Sequence, residues 1–260
     1  MPDGMPGEDI LELAPPAADE RVAYGADPFQ FVDVRLPAGK KPHPVLLNIH
    51  GGYWRAKYDL AHAGHLCEAL RVAGFATFNV EYRRVGNDGG GWPGTFADIR
   101  SAYQYVLQQG GRFRLDTKRV AVMGHSAGGQ LALCLAAHEH SLQRAISLAG
   151  VVDLQKAFSL HLSHDAVVEF LGGRPSEVPD HYREADPMAL KIAHARQWVL
   201  HGAHDDTVPP AFSRDYAAHK KKLGEHVEWV EEPHAGHFEF IDPRTGAFTR
   251  VLEAVASALR

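Results

Sequence analysis

Short continuous apolar runs alternate along this chain with longer stretches of helical spacing. A last strand is expected at 227–230, and the runs at 45–49, 75–80, 120–123, 145–150 and 197–200 have the length of strands and lack polar alternation. They are therefore expected inside a sheet covered on both faces. Residues 31–36 differ: Val32, Val34 and Leu36 alternate with Asp33 and Arg35, the pattern of a half-exposed strand at a sheet edge. Between the runs lie helical patterns at 60–73, with Leu66, Leu70 and Ala73 on one stripe and Gly74 as its stop, and at 96–109, stopped by Gly110 and Gly111. Further helices are expected at 129–137, 211–223 and 244–259. Strands and helices in this order predict one α/β domain over residues 21–260, a mostly parallel central sheet with helices on both faces. Two stretches break the rhythm. Residues 153–188 mix histidines, prolines and Gly172-Gly173 around one helical patch at 166–171, and are expected to be a small cap insertion over a site. Residues 1–20 are acidic and proline-rich, a loose arm in which 10–13 can pack near a site entrance.

Composition narrows the classes of function. A chain of 260 residues suits one large α/β domain. The net charge of −5 leaves no basic footprint for nucleic acid. The start of the chain lacks the basic and apolar regions of a signal peptide, and no apolar stretch is long enough for a bilayer, so a cytoplasmic protein without a membrane partner is expected. Cys67 and Cys134 both fall in apolar helical patterns and read as buried thiols in a reducing compartment. The 17 histidines raise the question of a metal. The pairs His62/His65, His138/His140 and His161/His164 have ligand-like spacing, yet none belongs to a His-Glu-x-x-His pattern. The glycines at 86–91 lack the lysine and helix start of a nucleotide loop. No metal and no cofactor are expected. The basic run Lys220-Lys221-Lys222 reads as a solvated helix face. Monomer and homodimer both remain open.

One stretch carries chemistry on its own. Gly124-His125-Ser126-Ala127-Gly128 stands between an apolar strand and an apolar helix. A serine between glycines at a sharp strand-to-helix turn is a nucleophile elbow, which lifts the hydroxyl above the sheet. In a parallel sheet, ligands collect at the carboxyl ends of strands, and the other polar motifs lie at such ends. An alcohol needs a base within reach. His237, in His234-Ala235-Gly236-His237-Phe238 after the last strand, is the first choice, with His234 as its rival. The base needs a carboxylate to hold its tautomer; Asp205 opens the loop after the 197–200 strand, with Asp206 adjacent. The developing oxyanion needs preorganised N–H donors. Ala127, directly after the serine, supplies one, and Gly51, Gly52 and Tyr53 in the glycine-paired loop after residue 49 are candidates for the others. Tyr53, Trp54, Trp92, His125 and Val208 are the expected substrate walls, with Phe158 and His161 in the cap as weaker candidates.

The residues His50-Gly51-Gly52-Tyr53-Trp54, the serine elbow, Asp205 and His237 resemble those of the α/β-hydrolase superfamily. The His-Gly-Gly loop resembles that of hormone-sensitive-lipase-like esterases, and its Tyr-Trp continuation is similar to kynurenine formamidases and small carboxylesterases, including some feruloyl esterases. The lipase-like branch usually has a third glycine where Tyr53 stands. The resemblance implies a metal-free acyl hydrolase acting through an acyl-enzyme on a small-molecule ester, short-chain or aryl. An arylformamidase acting on an N-formylkynurenine-type amide and an inert binding protein of the same fold are the alternatives.

Overall fold

The computed structural model describes residues 8–260. Eight strands form one sheet in the order β1-β2-β4-β3-β5-β6-β7-β8. They are β1 (Glu20–Ala23), β2 (Phe31–Arg35), β3 (His43–Ile49), β4 (Ala76–Val80), β5 (Leu115–His125), β6 (Arg144–Leu148), β7 (Arg196–Gly202) and β8 (Val227–Glu232). From β4 through β8 every neighbouring pair is parallel, while β1 and β2 run antiparallel. The helices between them are α1 (Gly64–Val72), α2 (Gly94–Gln108), the single turn α3 (Gly110–Phe113), α4 (Ala127–His138), α5 (Leu154–Ser159), α6 (Ala166–Leu171), α7 (Pro179–Ala185), α8 (Ala211–Lys222) and α9 (Ala247–Leu259).

The continuous apolar runs are explained by the two faces of the sheet. Successive strand residues point to opposite sides. On β3, Val45, Leu47 and Ile49 join a core with Ile99 of α2, Leu131 of α4 and Tyr216 of α8. Leu46 points the other way, to a core with Leu66 and Leu70 of α1 and Val251 and Val255 of α9. Both sides of such a strand must therefore be apolar.

Three expectations need correction. Strand β2 is not an edge strand, because β1 pairs outside it and Arg21 clamps Asp33 across the pair at 2.7 Å. Of the four β1 residues only Val22 and Ala23 are apolar, too weak a pattern to announce a strand. The basic run on α8 is not uniformly solvated: Lys221 and Lys222 are exposed, but Lys220 is buried. Phe212, Tyr216 and Lys220 recur every four residues on one inward stripe. The ammonium there donates to Leu190 O and lies 3.9 Å from Glu225. Finally, residues 153–188 do not form a separate cover. Their helices add Ala157, Phe170, Leu171 and Tyr182 to the core on the α4 side of the sheet.

Residues 1–7 of the expected arm lie outside the described residues. The rest of it follows the domain surface. Ile10 is buried against the α9 core, Asp9 pairs with Arg244 at 2.8 Å, and Pro16 O accepts from Arg35 at 2.7 Å.

Candidate active site

The turn from β5 into α4 places Ser126 in a backbone conformation with φ 56° and ψ −120°, a sparsely populated region for a residue with a side chain. The turn is as tight as the two glycines suggest. A Cβ on Gly124 would stand 2.0 Å from Gly128 O, and one on Gly128 would stand 2.1 Å from Ile49 O. The Ser126 N–H donates to Leu148 O at 2.8 Å, which anchors the elbow to β6. Ala127 is the first residue of α4. Its N–H has no partner one turn back, and the helix dipole adds positive potential at the same place.

Behind the serine, His237 Nδ1 donates to Asp205 Oδ2 at 2.7 Å. The other oxygen, Oδ1, accepts from the N–H groups of Thr207 at 2.9 Å and Val208 at 2.7 Å. Burial alone would raise the Asp205 pKa; hydrogen bonds from His201 and His237 instead hold it well below the usual carboxylate range. Asp206 is exposed and accepts from the neighbouring Thr207 hydroxyl at 3.3 Å, and His234 is exposed outside the cavity. Ser126 and His237 line the same cavity. No direct hydrogen bond joins them among the described residues; such bonds commonly tighten only when substrate is bound. His125 supports the arrangement from below, its Nε2 donating to His237 O at 2.9 Å with the rings 4.6 Å apart. Burial and the neighbouring His237 keep the His125 imidazole neutral.

The loop after β3 reaches over the elbow. Gly51 lies so close to it that a Cβ there would stand 3.0 Å from the Ser126 Cβ. Gly52 takes φ 109°, and Tyr53 and Trp54 follow with φ 50° and 58°. Two consecutive left-handed residues with side chains need firm anchors. One is Tyr53, whose hydroxyl donates to Thr207 O at 2.9 Å and so ties this loop to the acid loop. A second is Trp54, whose Nε1 donates to Gln130 Oε1 on α4 at 3.0 Å and whose ring stacks on Phe170 at 4.5 Å. At the base of the loop, both imidazole nitrogens of His50 face acceptors, Gly51 O at 2.7 Å and Glu81 Oε1 at 3.2 Å. Replacing Gln130 with leucine removes the Trp54 tether and leaves the indole N–H unpaired in the core. We expect kcat to fall about tenfold with little change in KM, a fraction of the cost of losing an oxyanion donor outright. Steady-state kinetics on p-nitrophenyl acetate measures this; unchanged kcat in a folded variant would show that the tether is dispensable.

The cavity beside Ser126 has a volume of about 120 Å³ and is lined by Leu11, Gly52, Tyr53, Tyr58, His62, His125, Ser126, Thr207, His237 and Phe238. Three expected walls are absent from it. Trp54 is buried as the loop anchor. Trp92 stacks on Phe96 at 5.2 Å, away from the serine. Val208 is buried, its backbone holding Asp205 while its side chain joins the core. The weaker candidates Phe158 and His161 lie outside the cavity as well, and no residue of 153–188 lines it. Leu11, Tyr58, His62, Thr207 and Phe238 take those places. Leu11 falls in the stretch 10–13 expected near a site entrance, and Phe238 and Thr207 adjoin the candidate base and acid in sequence. Tyr58 stands in the loop before the helical pattern at 60–73, where no periodicity is read, and His62 lies in the short 3₁₀ turn at its start, where the sequence offers it only as half of a ligand-spaced pair. Burial pushes the His62 pKa down to about 3, so this ring is a neutral wall. The other histidine pairs do not assemble a centre: no group of three His, Cys, Asp or Glu with metal-binding geometry occurs among the described residues. No helix among them is long and apolar enough to cross a membrane.

The family model described as BD-FAE matches residues 32–219. The chain is 26% identical over 249 residues to Esterase LipC of Mycobacterium tuberculosis, covering 87% of this chain and 61% of that one. It is 28% identical over 233 residues to Esterase LipQ of the same organism, covering 83% and 55%. The chain thus spans little more than half the length of these relatives. Among solved structures, a truncated form of a carbohydrate esterase from gut microbiota superposes with a TM-score of 0.81 at 20% identity, covering 95% of this chain and 99% of that one. That likeness establishes the α/β-hydrolase fold.

Proposed function

The chain belongs to the BD-FAE family, and from that premise we propose that it is a serine hydrolase of small, uncharged carboxylic esters. The observation that carries the reading is the His237–Asp205 pair at 2.7 Å, whose histidine lines the cavity that also holds Ser126. Ser126 Oγ attacks the ester carbonyl while His237 takes its proton, forming a tetrahedral oxyanion that the N–H groups of Ala127, Gly52 and Tyr53 receive. The C–O bond to the alcohol breaks, and His237 returns the proton to the departing oxygen. A water then attacks the acyl-enzyme, His237 again carries the proton, and the acid leaves with Ser126 restored.

The walls support an uncharged substrate. No lysine or arginine is among the residues lining the cavity, and His62 and His125 are held neutral. A substrate bearing a free carboxylate, such as N-formylkynurenine, gains no ionic partner there and is desolvated without compensation. Trp54, half of the Tyr-Trp pair on which the arylformamidase alternative rests, is buried and outside the cavity. Parallel kinetics on p-nitrophenyl acetate, butyrate and octanoate and on N-formylkynurenine tests the reading. Acetate and butyrate are expected to be turned over well and N-formylkynurenine poorly; the reverse order would contradict it.

The N-terminal segment sets the length of substrate in this scheme. Leu11 lines the cavity while Ile10 and the Asp9–Arg244 pair fix the segment to the domain. Replacing Leu11 with alanine opens the wall by several carbons. At about 0.8 kcal/mol per buried methylene, one or two acyl carbons settling in that space should raise kcat/KM for the octanoate relative to the acetate by about fourfold to fifteenfold. An unchanged ratio would place the acyl chain elsewhere.

A further inference from the structure

Asp205 has a second imidazole partner. His201 lies near the end of β7, wholly buried and outside the cavity. Its Nε2 stands 3.0 Å from Asp205 Oδ2 and 2.8 Å from Val208 O. Both are acceptors, so Nε2 carries the proton. Nδ1 is then the acceptor, and the buried hydroxyl of Ser213, on α8, donates to it at 2.7 Å. Asp205 Oδ2 therefore has two imidazole N–H groups against it: His237 donates to it directly at 2.7 Å, and the His201 N–H, whose hydrogen bond goes to Val208 O, stands 3.0 Å away on the α8 side.

We propose that His201 and Ser213 form a buried imidazole–hydroxyl pair that locks the Asp205 carboxylate in its rotamer and takes a share of its charge, making His201 a positioning residue for the His237 base. This rests on the roles assigned above to Asp205 and His237. A packing role alone would be met by an apolar side chain at lower desolvation cost. A network in which every polar atom is satisfied instead specifies one geometry. Two N–H groups face Oδ2, so each limits how strongly the oxygen binds the other. Without His201, the carboxylate becomes a stronger acceptor for His237 but loses the contact that fixes its plane from behind. Ser213 acts one step further out. Without its hydroxyl the Nδ1 lone pair is left unpaired in the core; the two acceptors at Nε2 still keep the proton there, but the ring loses the contact that fixes it from the α8 side. The remaining groups around Asp205 are Tyr53, whose hydroxyl is engaged by Thr207 O, and the exposed Asp206. Neither replaces the missing donor.

The test uses the full chain and three variants, His201→Phe, His201→Gln and Ser213→Ala. One readout is the low-field proton NMR signal of His237 Nδ1–H in its bond to Asp205, recorded without substrate. The other is kcat and KM on p-nitrophenyl acetate. His201→Phe should move the signal downfield and lower kcat about tenfold at unchanged KM, the scale typical of lost supporting contacts. His201→Gln keeps an N–H donor at similar reach and should restore both. Ser213→Ala should act in the same direction as His201→Phe, more weakly. A folded His201→Phe variant with the wild-type signal and kcat would overturn the proposal. If that variant fails to fold, Ser213→Ala decides, and a wild-type signal and kcat there would overturn it equally. A chain that shows the shift and its rescue, yet hydrolyses no ester in any form, would support this pairing while refuting the hydrolase reading.

Discussion

Ser126→Ala should lower kcat on p-nitrophenyl acetate by about 10⁶-fold, the scale seen when the nucleophile of an interdependent triad is removed. The fold should survive the change. Ser126 is only 3% exposed, and alanine meets the same backbone conformation at the turn that serine already tolerates. Its N–H still donates to Leu148 O and its carbonyl still accepts from Gly129. Thermal unfolding should therefore shift by no more than a few degrees, as expected for about 1 kcal/mol in a domain of this size. A folded alanine variant with wild-type turnover would mean that some other group carries the chemistry.

Asp205→Asn is the second large effect, about 10⁴-fold in kcat. Its reason lies in the orientation that the loop imposes. The Oδ1 position accepts two backbone N–H groups, from Thr207 and Val208, so the amide oxygen of asparagine is drawn there. The NH₂ group then occupies the Oδ2 position and faces the N–H groups of His237 and His201, donor against donor. His237 escapes by carrying its proton on Nε2 instead, which leaves no lone pair to take the proton from Ser126. Stability falls as well. The Asp205 carboxylate is held below its ordinary range in the fold. Its stabilising share is therefore full above the unfolded pKa of about 4 and is lost only as pH drops through the folded value. The variant lacks that share at neutral pH. Asp206→Asn, on an exposed side chain, should leave kcat within about twofold. Equal losses from the two variants would contradict the assignment of the acid.

Much of this was legible in the sequence, for identifiable reasons. The interior strands β3 to β7 announce themselves because a strand covered on both faces must be apolar through its buried stretch, while β8 is the sheet edge and alternates Val227 and Trp229 with Glu228. The elbow is legible because Gly124, Ser126 and Gly128 act through contacts within a single turn. Asp205 and His237 could be placed because parallel strands deliver their following loops to one end of the sheet. What escaped depends on contacts between distant segments. Short β1 is held by pairing with β2 and by the Arg21–Asp33 clamp, neither of which leaves a periodic trace. Lys220 hides in a charged run because its burial depends on Leu190 O and Glu225. Trp54 shows the same limit within the site. Its position in the loop suggested a wall, but Gln130 and Phe170 draw the indole inward, and Leu11, from the far end of the chain, lines the cavity instead.

The central claim is that the elbow hydroxyl is made nucleophilic by His237 and Asp205. Reaction of the whole chain with a fluorophosphonate, followed by peptide mapping in a mass spectrometer, tests it most directly. One stoichiometric adduct is expected, on Ser126, that forms in the wild type and fails to form in His237→Ala. Turnover of p-nitrophenyl acetate by a chain whose Ser126 stays unlabelled, or labelling that persists without His237, would contradict it.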